Sequence, residues 1–151
     1  MKKTLVLGIG NLLLRDEGVG VHAAQALMQL ELPEGVKVLD IGTAILDALP
    51  ELEDADRVIV VDAIKADGTP GSVYRLSFDE CAGKETIASM HGFDLARVLA
   101  LTGRKSLPEV VVLGVEPLEI TWSLDLSPPV QEALPFLLEE LRKEIAGSSA
   151  E

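Results

Sequence analysis

Short aliphatic runs alternate with stretches of helical spacing along the chain. Four of these runs have the composition of buried β-strands, at residues 4–7, 36–39, 57–61 and 109–115. Four other stretches are predicted as helices, at residues 19–30, 43–49, 92–101 and 129–145. The alternation of strands with helices predicts a mostly parallel sheet in a three-layer α/β sandwich.

A further strand is predicted at residues 71–76, but its direction should differ. Only residues 63–70 separate it from Asp62, whereas a parallel crossover needs about a dozen or more residues. We therefore expect this strand to run antiparallel at an edge of the sheet.

Two helices allow more detailed predictions. Thr43 is placed to be the N-cap of the second helix. The spacing of the helix at 92–101 predicts an inward face made of Phe93, Ala96, Leu99 and Ala100. After the last helix, residues 147–151 are expected to form a frayed end, which leaves residues 1–146 as a single domain.

Composition narrows the function class. Hydrophobic residues make up 48% of the 151 residues but aromatic residues only 3%, so the core must be aliphatic. The net charge of −12 disfavours binding to nucleic acid or to an anionic membrane surface. No uncharged run approaches the ~18 residues of a membrane span. The single cysteine, Cys81, excludes an internal disulfide and an all-thiolate zinc site. We expect a cytoplasmic monomer.

Glycines and acidic residues follow the first strand. Gly8-x-Gly10-Asn11 resembles the start of a dinucleotide-binding turn, but no third glycine stands at the required spacing and two acidic residues come next. A plain tight turn is the simpler interpretation. Asp16 and Glu17 precede the first helix, where carboxylates also stabilise the positive end of the helix dipole. Each is therefore a candidate cap as well as a candidate ligand.

Asp62 and His91 complete a possible metal site. Asp62 follows the third strand, at the sheet edge where α/β proteins place ligand contacts. His91 lies in a polar loop just before a predicted helix, whereas His22 lies inside the first helix and is expected on its surface. Two carboxylates and one imidazole form a ligand set for a divalent metal.

The ordered combination of short motifs resembles the nickel-iron hydrogenase maturation endopeptidases. The motifs that match in order and spacing along essentially the whole chain are Gly8-x-Gly10-Asn11, Asp16-Glu17-Gly18-x-Gly20, Asp40-x-Gly42-Thr43, Val61-Asp62-Ala63, Ser89-x-His91, Gly114-x-x-Pro117 and Leu126-Ser127-Pro128.

This resemblance implies a fold and a function. The implied fold is a three-layer α/β/α sandwich with a five-stranded sheet in the order 2-1-3-5-4 and an antiparallel fourth strand. In this order strand five lies between strands three and four, so these two strands are not expected to form a simple hairpin. The implied activity is removal of the carboxyl-terminal extension from the hydrogenase large-subunit precursor after nickel insertion.

The resemblance also implies a site. The metal-binding residues carry over onto Glu17, Asp62 and His91, and the nickel is supplied by the substrate precursor, with no organic cofactor. Asp16 and Asp40 are candidates for orienting a water or a ligand histidine. The hydrogenase large-subunit precursor is the implied partner. Both an aspartyl-type and a metal-dependent mechanism are compatible with the resemblance.

Three alternatives remain. A phosphoacceptor signalling domain also clusters acids after strands one and three, but it needs a lysine after strand five, where Val115-Glu116-Pro117 stands. A binding or chaperone protein could hold nickel or the extension without cutting. An unrelated peptidase with a permanently bound metal would contain stoichiometric metal. Turnover of a precursor separates the endopeptidase from the binding protein.

Overall fold

The computed structural model describes residues 2–83 and 90–149, without the side chains of residues 81–83, 90–93 and 148–149. Five strands form a sheet in the order β2-β1-β3-β5-β4. Their bounds are β1 (Thr4–Ile9), β2 (Val36–Gly42), β3 (Arg57–Ala63), β4 (Val73–Ser77) and β5 (Glu109–Val115).

Strand pairing follows the predicted order and directions. β1 lies between β2 and β3 and is parallel to both, and β3 is parallel to β5. β4 pairs antiparallel with β5, which separates it from β3. The antiparallel edge strand is therefore confirmed, and a hairpin of β3 with β4 is excluded.

Helices cover both faces of the sheet. Their bounds are α1 (Val19–Met28), α2 (Leu49–Asp54), α3 (Phe78–Gly83), α4 (Met90–Leu101) and α5 (Pro128–Ser149). Two 3₁₀ turns, Arg15–Gly18 and Ile45–Ala48, precede α1 and α2. α1 and α5 pack on one face, where Val19 and Leu137 meet Val61. α2 and α4 pack on the other, where Leu52 and Leu95 join the core. The predicted three-layer α/β/α sandwich is confirmed.

Three helix details differ from the sequence predictions. Thr43 is not an N-cap, because the 3₁₀ turn begins at Ile45 and α2 follows it. α5 continues through Ser149, beyond the predicted end at residue 145. α4 begins at Met90, which places His91 in its first turn instead of in a preceding loop.

The inward face of α4 was predicted correctly at Leu99 and wrongly at Ala96 and Ala100. Leu95, Val98 and Leu99 are buried, whereas Ala96 and Ala100 are exposed. The larger aliphatic side chains remove more apolar area from water than alanine does, and this sets the rotation of the helix. The side chain of Phe93 lies outside the described residues. None of the described helices is long and apolar enough to cross a membrane.

Candidate functional site

The carboxyl ends of β1 and β3 meet at the middle of the sheet. From β1 the chain passes through α1, on one face of the sheet, to β2. β2 lies on one side of β1, and β3 lies on the other side and pairs in turn with β5. Chains leave such neighbouring strands in opposite directions, so a crevice opens between them, and α/β proteins bind their ligands there. Glu17 and Asp62 are both at this edge.

Two glycines allow α1 to pack directly on the strand backbones. A Cβ atom on Gly20 would lie 2.2 Å from the carbonyl oxygen of Val61, and one on Gly8 would lie 2.3 Å from the carbonyl oxygen of Gly20. Neither contact leaves room for any side chain. The start of α1 is thereby held against β1 and β3, which fixes the position of the 3₁₀ turn before it.

Gly10 lies between the two candidate carboxylate residues. Its φ of +138° is in the region that favours glycine. A Cβ there would lie 1.9 Å from the backbone carbonyl oxygen of Glu17 and 3.7 Å from Asp62 Oδ1. The structure therefore places the backbone of Glu17 and the carboxylate of Asp62 close to this glycine.

The two carboxylates differ in exposure. Asp62 is only 1% exposed, and its Oδ1 accepts a hydrogen bond of 2.8 Å from the backbone N–H of Ala63. Glu17 is half-buried in the 3₁₀ turn. A buried carboxylate and a half-exposed one carried by the adjoining turn offer oxygen atoms of the kind that bind cations.

The third predicted ligand is only partly located. The backbone of His91 lies in the first turn of α4, but its side chain is outside the described residues. Among the described side chains, no group of three or more His, Cys, Asp or Glu residues is arranged to hold a metal. The trio of Glu17, Asp62 and His91 therefore stays a prediction.

Asp16 serves as a buried anchor. It is 0% exposed, and both of its carboxylate oxygens accept hydrogen bonds. The backbone N–H groups of Leu118, Glu119 and Ser127 donate at 2.9, 3.0 and 2.8 Å, and the Ser127 hydroxyl donates at 2.7 Å. Burial alone would raise the pKa of Asp16, but these donors outweigh it and hold the pKa below the ordinary aspartate value.

The loop after β1 is bonded to the loop after β5. The backbone N–H of Arg15 donates to the carbonyl of Ser123, and the N–H of Ser123 donates to the carbonyl of Leu13, both at 3.0 Å. Arg15 has a φ of +53°, which is uncommon for a residue other than glycine. Together with Asp16, these bonds fix the backbone that leads into Glu17.

Glu116 was not identified as important from the sequence. It is 2% exposed, and its Oε1 accepts hydrogen bonds from the N–H groups of Ala66 and Gly68, at 2.9 and 2.8 Å, and from the Tyr74 hydroxyl at 2.7 Å. Burial, and then the bond to Glu116, raises the pKa of Tyr74 to about 12. Glu116 thus holds the loop that follows Asp62.

The remaining candidates have other surroundings. Asp40 is exposed on β2 and accepts a hydrogen bond of 3.2 Å from Gln25 of α1. His22 was predicted on the helix surface, and its side chain is half-buried there. The Nε2 atom of His22 is buried and has no hydrogen-bond partner among the described residues. The side chain of Cys81 lies outside the described part of the chain.

Known proteins share this sequence and fold. The family model described as "Hydrogenase maturation protease" matches residues 21–144. The chain is 35% identical over 154 residues to the hydrogenase 2 maturation protease of Escherichia coli, covering 99% of this chain and 94% of that protein. It is 31% identical over 154 residues to the coenzyme F420 hydrogenase subunit delta of Methanothermobacter thermautotrophicus, covering 95% of each.

A solved structure also resembles this chain. The hydrogenase maturating endopeptidase HybD from E. coli superposes with a TM-score of 0.83 at 33% identity, covering 97% of this chain and 93% of that one. Sequence, fold and strand order thus agree along nearly the whole length. The chain therefore belongs to the hydrogenase maturation protease family, a family of peptide-bond hydrolases that act in the processing of hydrogenase precursors.

Proposed function

We propose that this chain removes the carboxyl-terminal extension of a nickel-iron hydrogenase large-subunit precursor after nickel has been inserted. In this proposal Glu17, Asp62 and His91 bind the nickel of the precursor. The observation that supports it most is that the Glu17 backbone and the buried Asp62 carboxylate both lie close to Gly10, at the carboxyl ends of β1 and β3.

The chemistry of the three side chains suits a visiting metal. Carboxylate oxygens and an imidazole nitrogen bind divalent first-row metals, and imidazole is a common ligand of nickel. Three ligands leave coordination positions open for groups from the precursor and for water. The nickel is cargo of the substrate in this scheme, and binding it reports that insertion is complete.

Hydrolysis of the peptide bond needs an attacking water and a protonated leaving amine. Water adds to the scissile carbonyl carbon, the carbon–nitrogen bond breaks, and a proton passes from the water to the amine. A metal at this position acts either by polarising the carbonyl or by lowering the pKa of a bound water. Asp16, whose oxygens are occupied by donors, positions the backbone of Glu17 in this scheme. Asp40 remains the candidate for orienting a ligand or a water.

The test is cleavage of the precursor with and without nickel, followed by mass spectrometry. The wild-type chain should release a carboxyl-terminal peptide from the nickel-loaded precursor only. Asp62→Asn, Glu17→Gln and His91→Ala should each lower the cleavage rate by about a hundredfold or more, as expected for removal of a metal ligand. Asp54→Asn is the matched control, because Asp54 is exposed and pairs with Lys3 at the opposite edge of the sheet.

A second candidate function is binding of a hydrogenase subunit without cutting it. The M. thermautotrophicus relative favours it, because that protein is named as a hydrogenase subunit and not as a protease. If the chain binds the nickel-loaded precursor without changing its mass, the result would support this second function. Cleavage at the wild-type rate by Asp62→Asn would show that the assigned ligands are wrong even if the protease activity is real.

A further inference from the structure

Two exposed segments beside the candidate site carry apolar side chains. Trp122 is 79% exposed and Leu124 is 60% exposed. Single exposed apolar residues are common, but several together mark an interaction surface. The members, which we name the apolar rim, are Leu13, Leu118, Ile120, Trp122 and Leu124.

Backbone hydrogen bonds join the apolar rim to the candidate site. The N–H of Ser123, next to Trp122, donates to the carbonyl of Leu13. The N–H of Leu118 donates to Asp16, and Asp16 directly precedes Glu17. The apolar rim is therefore bonded to the 3₁₀ turn that carries Glu17.

The charges beside the apolar rim are mainly acidic. Glu119 and Asp125 alternate with its apolar residues and are exposed. Arg15 lies 3.6 Å from Glu119, so these two opposite charges offset each other, and Asp125 gives the three groups a formal net charge of −1. The chain as a whole carries −12. A complementary partner would present apolar side chains flanked by basic ones.

We propose that the apolar rim docks the carboxyl-terminal region of the precursor, the segment that carries the scissile bond, through apolar side chains flanked by basic residues. The inference rests on the proposed function, because it takes the substrate to be a polypeptide. A chain whose scissile bond lies beside Glu17 and Asp62 extends onto neighbouring surface, and the apolar rim borders that position. Trp122 is its expected anchor, since tryptophan is enriched among residues that dominate binding energy.

The experiment compares Trp122→Ser and Leu124→Ser with Phe136→Ser. Phe136 is a matched control because it is 56% exposed on α5 and is not part of the apolar rim. Each rim variant should raise KM for the nickel-loaded precursor about tenfold and change kcat by less than about twofold. The Kd for the nickel-free precursor, which is not cut, should rise by a similar factor. Phe136→Ser should match wild type in both measurements.

The acidic charges are tested separately. Asp125→Asn should weaken binding of the nickel-free precursor at low salt and reduce the salt dependence of its Kd, because one screened attraction is lost. Circular dichroism should show unchanged melting for all of these variants, since the altered side chains are exposed.

The outcomes separate this inference from the proposed function. Unchanged KM and Kd in both rim variants would overturn the docking surface while leaving cleavage intact. A wild-type dimer that Trp122→Ser converts to a monomer, with Kd unchanged, would overturn it too, because the apolar rim would then join two copies of this chain. Weaker binding by the rim variants without cleavage by wild type would support docking and contradict the proposed protease activity.

Discussion

At the scale of single residues, Asp16 and Glu17 are neighbours with different tasks. The Asp16 carboxylate is buried and accepts four hydrogen bonds from Leu118, Glu119 and Ser127. Glu17 is half-buried and its backbone contacts Gly10, beside Asp62. A carboxylate filled by four donors is suited to holding backbone in place, whereas a half-exposed one is accessible to a ligand.

Replacing Asp16 with asparagine should destabilise the fold. The amide group of asparagine would present N–H donors to backbone donors that need an acceptor, and the negative charge would be lost. We expect Asp16→Asn to lower the free energy of unfolding by about 2–4 kcal/mol at neutral pH. Urea unfolding measures this change. Asp47→Asn, at an exposed carboxylate, is the control and should change it by less than about 0.5 kcal/mol.

The stability difference between wild type and Asp16→Asn is expected to depend on pH. The pKa of Asp16 is lower in the folded state than the ordinary value of 3.8, because its hydrogen bonds outweigh the effect of burial. Its contribution is therefore complete above that ordinary value and is lost as the pH falls through the folded-state pKa. The stability difference between wild type and Asp16→Asn should shrink in acid. A difference that stays constant down to strongly acidic pH would contradict this assignment.

Local sequence patterns identified some of these residues and missed others. Asp62 directly follows the third strand, so the rule for the carboxyl ends of parallel strands indicated it as a candidate. A shared position with Glu17 depends on neighbouring first and third strands, and that strand order came from the family resemblance. The role of Asp16 depends on donors 102 to 111 residues away in sequence. Glu116 bonds a loop 48 to 50 residues before it. Such long-range pairs leave no local pattern, and therefore the sequence predicted Asp16 as a candidate cap, ligand or supporting acid but not as a buried anchor.

At the scale of elements, strands were predicted better than helix faces. β5 has the predicted bounds, because a continuous aliphatic run between polar ends is a clear signal. The short connection after Asp62 was enough to predict an antiparallel β4. The face of α4 was ambiguous because alanines and larger aliphatic residues both fit helical spacing, and only packing selects Leu95 and Val98.

The loop between β3 and β4 depends on the bond between Tyr74 and Glu116. Among the described residues, the Tyr74 hydroxyl is one of three donors to Glu116 Oε1. Tyr74→Phe should therefore lower the free energy of unfolding by about 1 kcal/mol, since two donors remain. Urea unfolding near neutral pH measures this loss. An unchanged stability would mean that the hydroxyl does not support the loop.

Titration of Tyr74 gives a direct check. It is the only tyrosine in the chain, so the absorbance of tyrosinate reports on this residue alone. Its folded-state pKa is raised from 10.0 to about 12, first by burial and then by Glu116. Because the folded pKa is raised, the stabilisation is present below pH 10 and is lost as the pH rises towards 12. Tyr74→Phe should lack this alkaline loss, and a wild-type titration midpoint near 10 would contradict the buried bond.

At the scale of the whole molecule, the two ends of the sheet have separate tasks. The carboxyl ends of the parallel strands hold the candidate site, with its glycine contacts and bonded loops. At the other end, an ionic network joins three strands to α5. Arg57 of β3 donates to Glu109 of β5 and to Glu144 of α5, and Arg75 of β4 also pairs with Glu144. We infer that this network supports stability and not the chemistry.

Replacing Arg57 tests this separation. The Arg57 side chain is 9% exposed and donates to the Glu144 carboxylate and backbone carbonyl, both at 2.5 Å. Arg57→Met keeps much of the apolar stem. In the described part of the chain it leaves the largely buried Glu144 with Arg75 as its charged partner. We expect a loss of about 2–4 kcal/mol in the free energy of unfolding, measured in urea, because an ion pair loses one member. At temperatures where the variant is folded, kcat and KM for precursor cleavage should equal the wild-type values. A lower kcat in fully folded Arg57→Met would show instead that the network is linked to the site through β3, whose far end carries Asp62.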